Sequence, residues 1–129
     1  MPQNLYVELS DKRILVAGAG VTGVAAARAL IKRGAHVKVT DEKVRELEGF
    51  DLLALADVEI SEFDLLLLSP GWREDHPLVS SARKKEVPII NEIDLAWSLK
   101  CPTQKWIGLT GTNGKTSTVE LTAHMIRTG

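Results

Sequence analysis

Arg13-Ile14-Leu15-Val16-Ala17 runs without a spacer into Gly18-Ala19-Gly20-Val21-Thr22-Gly23, and few folds accommodate that junction. A strand must turn at once and continue as a helix lying back on the sheet it has left. Val24, Ala27 and Ile31 then recur at helical spacing, and the small residues Gly23, Ala26 and Ala27 allow close packing. Gly34, after the last basic turn, supplies a C-cap, and a second strand is predicted over His36–Thr40, ending at Asp41. Glycines at i, i+2 and i+5, with an acid about twenty residues on, form a dinucleotide fingerprint in its proper setting. Gly18 makes the tight turn, Gly20 admits a pyrophosphate, and Gly23 packs helix on strand. Read from these residues alone, the pattern favours NAD with Asp41 on the adenosine ribose. A close-packed turn that binds nothing is the plainer alternative.

Downstream, β-rich runs keep alternating with helical ones, which predicts a parallel sheet covered on both faces. Glu42–Asp57 reads as helical, broken near Gly49, with a short third strand over Val58–Ile60. Asp64–Ser69, with four consecutive leucines, reads as a strand buried on both faces, ended by Ser69-Pro70-Gly71. Pro77 suits the first position of a helix to about Glu86, capped by Asp75 or His76. Val87–Asn91 is a fifth strand and Glu92–Leu99 a short helix. The expected class is α/β: a Rossmann-like five-stranded parallel sheet with helices on both faces over residues 1–92. Residues 93–129 then hold a linker at Lys100–Gln104 and the first strand–phosphate-loop–helix of a second, truncated domain.

That second unit carries the other glycine turn. Trp106–Thr110 reads as a strand, and Gly111-Thr112-Asn113-Gly114-Lys115-Thr116-Ser117 opens a helix reaching Arg127. Backbone N–H groups curled by glycine, at a helix N-terminus, form a concavity for phosphate. Lys115 would reach the outer phosphates of ATP, and the Thr116 hydroxyl would ligate Mg²⁺. Leu109 stands where the strict phosphate-loop pattern has a glycine. In the helix, Val119, Ala123 and Ile126 form one stripe, with Leu121 and Met125 on another side. Such a helix expects neighbours in more than one direction.

Charge and cysteine content exclude several classes. With 16 basic and 17 acidic residues interspersed, nothing argues for nucleic acid or anionic lipid as partner. Cys101 is the single cysteine, so no internal disulfide forms, and a reducing compartment suits the chain. Apolar runs are too short to span a membrane, and the N-terminus is unlike a secretion signal, so a cytoplasmic location is expected. His36, His76 and His124 have no partners at metal-ligand spacing, and the acids at 42, 46, 48 and 51 read as a solvated face.

Thr110-Gly111-Thr112-Asn113-Gly114-Lys115-Thr116 resembles the ATP loop of the Mur ligase family, which also lacks the first glycine of the strict pattern. Gly18–Gly23, Ser69-Pro70-Gly71, His76-Pro77 and Asn91-Glu92-Ile93-Asp94-Leu95 resemble its D-glutamate-adding branch, and the likeness covers nearly the whole chain. The consecutive glycines usual in the L-alanine-adding branch, the runner-up, are missing. The resemblance implies an ATP-dependent, Mg²⁺-requiring ligase of peptidoglycan precursor synthesis. Its substrates would be UDP-N-acetylmuramoyl-L-alanine and D-glutamate, joined through an acyl phosphate. It also implies a UDP site in the first domain, formed by Gly18, Gly20, Val21, Thr22, Gly23, Asp41, Glu42, Ser69 and Gly71. Gly111–Ser117 would hold ATP, with Lys115 and Thr116 the catalytic pair. Glu42-Lys43 departs from the family's usual residues after the aspartate. Trp72 either stacks on a base or simply packs. The D-glutamate site and further metal ligands would lie beyond Gly129, so this stretch alone is expected to form no amide. An NAD-binding regulatory module and a pure interaction domain are the competing classes.

Overall fold

The computed structural model describes residues 9–111 and 113–128. Four parallel strands form its sheet: β1 (Arg13–Ala17), β2 (His36–Thr40), β3 (Leu65–Leu68) and β4 (Ile89–Asn91), in the order β2-β1-β3-β4. β1 pairs on both sides, Val16 opposite Val39 in one register and opposite Leu67 in the other. Alternation along β1 divides the core. Ile14 and Val16 pack on one face with Ala26, Ala27 and Leu30 of α1 (Val21–Ile31) and with Leu95 of α3 (Glu92–Leu99). Leu15 and Ala17 pack on the other with Ile60, Leu78 and Ala82, the last two from α2 (Pro77–Lys84). A sheet covered on both faces needs apolar residues at every position, which the leucine run of β3 supplies.

Each helix ends where its sequence tells it to. Gly34, at φ +85°, closes α1 by donating to the Ile31 carbonyl (2.9 Å), while Ala35 N–H donates to Leu30 O (3.2 Å). His76 is the cap of α2: the Leu78 N–H donates to its Nδ1 at 3.0 Å, with Pro77 in the first turn. Asn91 and Asp94 form a reciprocal capping box on α3.

Three expectations fail. The sheet has four strands, because Val58–Ile60 is not one of them. Residues 42–57 hold no α-helix; short 3₁₀ turns at Leu55–Asp57 and Ile60–Glu62 and one bridge, Val39 to Leu52, carry the chain back to the sheet. Gly49 at φ +80° breaks the helical pattern, and Leu53, Leu55 and Val58 turn inward against the second core face instead. Trp106–Thr110 is no strand either. It is exposed and contacts the sheet unit through the Trp106 ring, edge-on to Trp97 at 5.4 Å. A parallel strand needs neighbours for its backbone groups, and among the described residues no strand pairs with this run. α4 (Lys115–Thr128) forms as expected but buries no residue, leaving Leu121, Met125 and Ile126 more than half exposed. Among the described residues no helix is long and apolar enough to cross a membrane.

Candidate functional site

The chain leaves β1 toward β2 on one side and later places β3 on the other. Loops following these strands therefore diverge, and a crevice opens at their carboxyl ends. It holds about 340 Å³ and is lined by Gly18, Gly20, Val21, Thr22, Gly23, Asp41, Glu42, Lys43 and Ser69–Trp72. All nine residues expected around a UDP thus face one cleft, joined by Lys43, Pro70 and Trp72.

The three glycines are not equivalent. Gly18 sits at φ +117°, and a Cβ there would lie 2.6 Å from Ser69 Oγ. A Cβ on Gly23 would overlap the Gly18 carbonyl oxygen. Those two are fixed by the fold. Gly20 has extended backbone (φ −78°, ψ −174°), and a Cβ there meets nothing within 4 Å. Its missing side chain leaves the cleft open. No side chain caps α1, so its first amides are left facing the cleft, beside the 91% exposed Val21. Gly20→Ala should accordingly change unfolding stability by less than about 1 kcal/mol, measured by urea denaturation, while weakening binding of any pyrophosphate the cleft accepts.

Asp41 is committed to the backbone. Its Oδ2 accepts from Ala19 N–H (2.9 Å), and its Oδ1 accepts from Lys43 N–H (2.8 Å) and Val44 N–H (2.9 Å). Burial pushes its carboxyl up, but these three donors outweigh it and hold the group below the ordinary carboxylate range. Asp41 therefore locks the glycine turn to the loop after β2. The lone pair left on Oδ2 is what Asp41 can offer a ribose hydroxyl, the role that the sequence pattern gives it.

Across the cleft, the Ser69 hydroxyl is buried and has no hydrogen-bond partner among the described residues; Thr40 Oγ1, at the end of β2, shares that condition. Trp72 packs edge-on against His76, ring centres 4.6 Å apart. Because His76 Nδ1 is the acceptor of the α2 cap, its proton sits on Nε2, which donates to Glu42 Oε1 at 3.1 Å. One side chain thus ties the wall of the cleft to its far lip. Sequence reasoning placed His76 at the cap and missed this second bond, whose partner is 34 residues away.

None of the described residues of the second glycine turn lines this cleft. Gly111, Asn113, Gly114, Lys115, Thr116 and Ser117 are exposed, and Thr112 lies outside the described residues. Gly114 takes φ +74°, and its carbonyl accepts from the Thr118 N–H (2.9 Å) and hydroxyl (2.8 Å), which starts α4 at Lys115. Among the described residues no group of three His, Cys, Asp or Glu could hold a metal ion.

Comparison with known proteins agrees with this geometry. Residues 12–91 match the family model described as Mur ligase MurD-like, N-terminal domain. The chain is 42% identical to UDP-N-acetylmuramoylalanine–D-glutamate ligase of Thermobifida fusca, over 94% of its own length and 28% of the relative's. The enzyme of that name from Syntrophus aciditrophicus is 41% identical, over 94% of this chain and 29% of the relative. Among solved structures, UDP-N-acetylmuramate-alanine ligase MurC from Thermotoga maritima superposes with a TM-score of 0.59 at 26% identity, covering 90% of this chain and 29% of that one. The chain therefore spans little more than a quarter of the relatives it matches. Sheet, cleft and matched residues coincide, and the chain belongs to the Mur ligase family through its MurD-like N-terminal domain.

Proposed function

We propose that this chain is the nucleotide-handling N-terminal part of an ATP-dependent ligase that joins D-glutamate to UDP-N-acetylmuramoyl-L-alanine in peptidoglycan precursor synthesis. The carrying observation is the cleft itself: the open Gly20 position, uncapped α1 amides and Lys43 converge at one point. A diphosphate suits that combination, since helix N-terminal amides and a lysine supply fixed positive potential. Gly18, Gly20, Val21, Thr22 and Gly23 would hold the diphosphate, with Asp41, Glu42, Ser69 and Gly71 toward the ribose and uracil. Their task is positional: anchoring the nucleotide handle fixes where the distant L-alanyl carboxylate lies.

The second glycine turn would serve ATP in a domain that residues 93–129 open. Lys115 and Thr116 are exposed in the first turn of a 14-residue helix, preceded by a left-handed glycine, and this arrangement fits a phosphate with its Mg²⁺. MgATP, when bound, supplies the phosphoryl group that activates the carboxylate. Lys115 and the amides of Gly111–Ser117 would offset charge on the outer phosphates, and the Thr116 hydroxyl would hold the ion. A cytoplasmic setting accords with such substrates.

NAD is the rival occupant of the first cleft. With three backbone donors on it, the Asp41 carboxylate has one lone pair left, enough for a single contact in the cleft and too few for both hydroxyls of an adenosine ribose. Calorimetric titration of the 129-residue chain decides between them. UDP and UDP-N-acetylmuramoyl-L-alanine should bind saturably and NADH should not. Saturable NADH binding with none for UDP would replace this reading by a redox-sensing module, and no binding of either would leave an interaction domain.

A further inference from the structure

Among the described residues Trp72 is the one aromatic in the cleft wall, and its orientation is specific. The indole Nε1 lies 3.4 Å from where a Gly18 Cβ would stand, so the ring presents its N–H edge to the glycine turn. Trp72 is half-buried and lines the cleft, and its indole N–H is a donor only. The His76 ring, edge-on at 67°, holds it there, and His76 is itself pinned at both nitrogens. Beside it the Ser69 hydroxyl, nine-tenths buried and unpartnered, comes within 2.6 Å of the same Gly18 Cβ position. An indole N–H and a buried hydroxyl without a partner among the described residues, on one loop, converge on the turn that opens α1.

We propose that Trp72 is a phosphate-positioning residue: its indole N–H, next to the Ser69 hydroxyl, donates to an oxygen of the bound nucleoside diphosphate. Stacking on the base is the alternative use of such a ring, and it does not need the N–H edge at the glycine turn. The inference rests on the reading of this cleft as a nucleoside diphosphate site and extends it to a donor on the β3–α2 loop. A charge-assisted hydrogen bond of this kind is worth about tenfold in affinity.

Calorimetry on the full chain with UDP and with uridine tests this. Trp72→Phe keeps a ring and removes the donor, so UDP affinity should fall about tenfold with uridine affinity unchanged. Equal UDP affinity in Trp72→Phe and wild type would overturn the inference and leave the cleft assignment standing; absence of UDP binding in wild type would overturn both. Should Trp72→Phe fail to fold, the wild-type chain still answers. Of its three indole N–H resonances, that of Trp72 should move downfield on adding UDP or inorganic pyrophosphate and stay put with uridine. A shift with uridine, or none with pyrophosphate, would refute the proposal.

Discussion

Gly23→Ala should lose the cooperative unfolding transition of the sheet, or retain it with a stability lowered by about 3 kcal/mol or more. Gly23 lies in α1, where exchanging an interior glycine for alanine normally stabilises by about 1 kcal/mol. Here the sign reverses. The new methyl group would overlap the carbonyl oxygen of Gly18 and come within 2.9 Å of Ser69 Oγ. Backbone cannot give way as a flexible side chain would, because Gly18 N–H is itself tied to the Thr40 carbonyl at 2.8 Å. Relief requires moving α1 off β1, which opens the packing of Ala26, Ala27 and Leu30 on Ile14 and Val16. Thermal and urea denaturation of Gly23→Ala beside Gly20→Ala measures the contrast. Two substitutions three residues apart should differ by most of the stability of the domain, and a Gly23→Ala variant as stable as wild type would show that the helix does not touch the turn.

Asp41→Ala should cost about 3 kcal/mol, because the N–H groups of Ala19, Lys43 and Val44 lose their acceptor together and those least open to water stay unpaired. Its pH dependence has a definite sign. The folded carboxyl lies below its ordinary value of 3.8, so the contribution is fully present above that pH and is lost as pH falls through the folded value. The stability gap between wild type and Asp41→Asn should therefore be constant from neutral pH to about pH 5 and close on further acidification. A gap that widened in acid would mean that the carboxylate is not what the three amides bind. Glu59, drawn down to about 2 by Lys85 and Ser61, shapes the same acid limb in both proteins and cancels in the comparison.

What the sequence disclosed, and what it concealed, divides along a physical line. Gly18, Gly20, Gly23 and Asp41 were legible because a strand that turns directly into a helix permits few spacings, and the structure gathers all four at one cleft. Pro77, His76 and Gly34 announced helix ends through local chemistry that acts within a few residues. Glu42–Asp57 reads as helical in sequence because its apolar positions fit a helix as well as a chain that folds back in short turns. The choice was made by tertiary contacts: Asp41 drawing in Lys43 and Val44, and Leu52 meeting Val39. The separate duties of the three glycines follow from their spacing, and the neighbours of each absent Cβ add how little room Gly18 and Gly23 have beside Gly20. Trp106–Thr110 has strand composition without strand structure, which shows composition to be a permission that only a paired neighbour converts into a fold.

With β1 in the middle of the sheet, no two consecutive elements suffice to make the cleft: Gly20 arrives with β1, Glu42 with β2 and Trp72 with β3. A nucleotide spanning these three lips would staple together segments that the chain delivers separately, so its grip and the assembly of the sheet become thermodynamically one event. The apparent melting point then doubles as an occupancy gauge, and every substitution that loosens the β1–β3 seam is also felt as a weaker hold on the ligand.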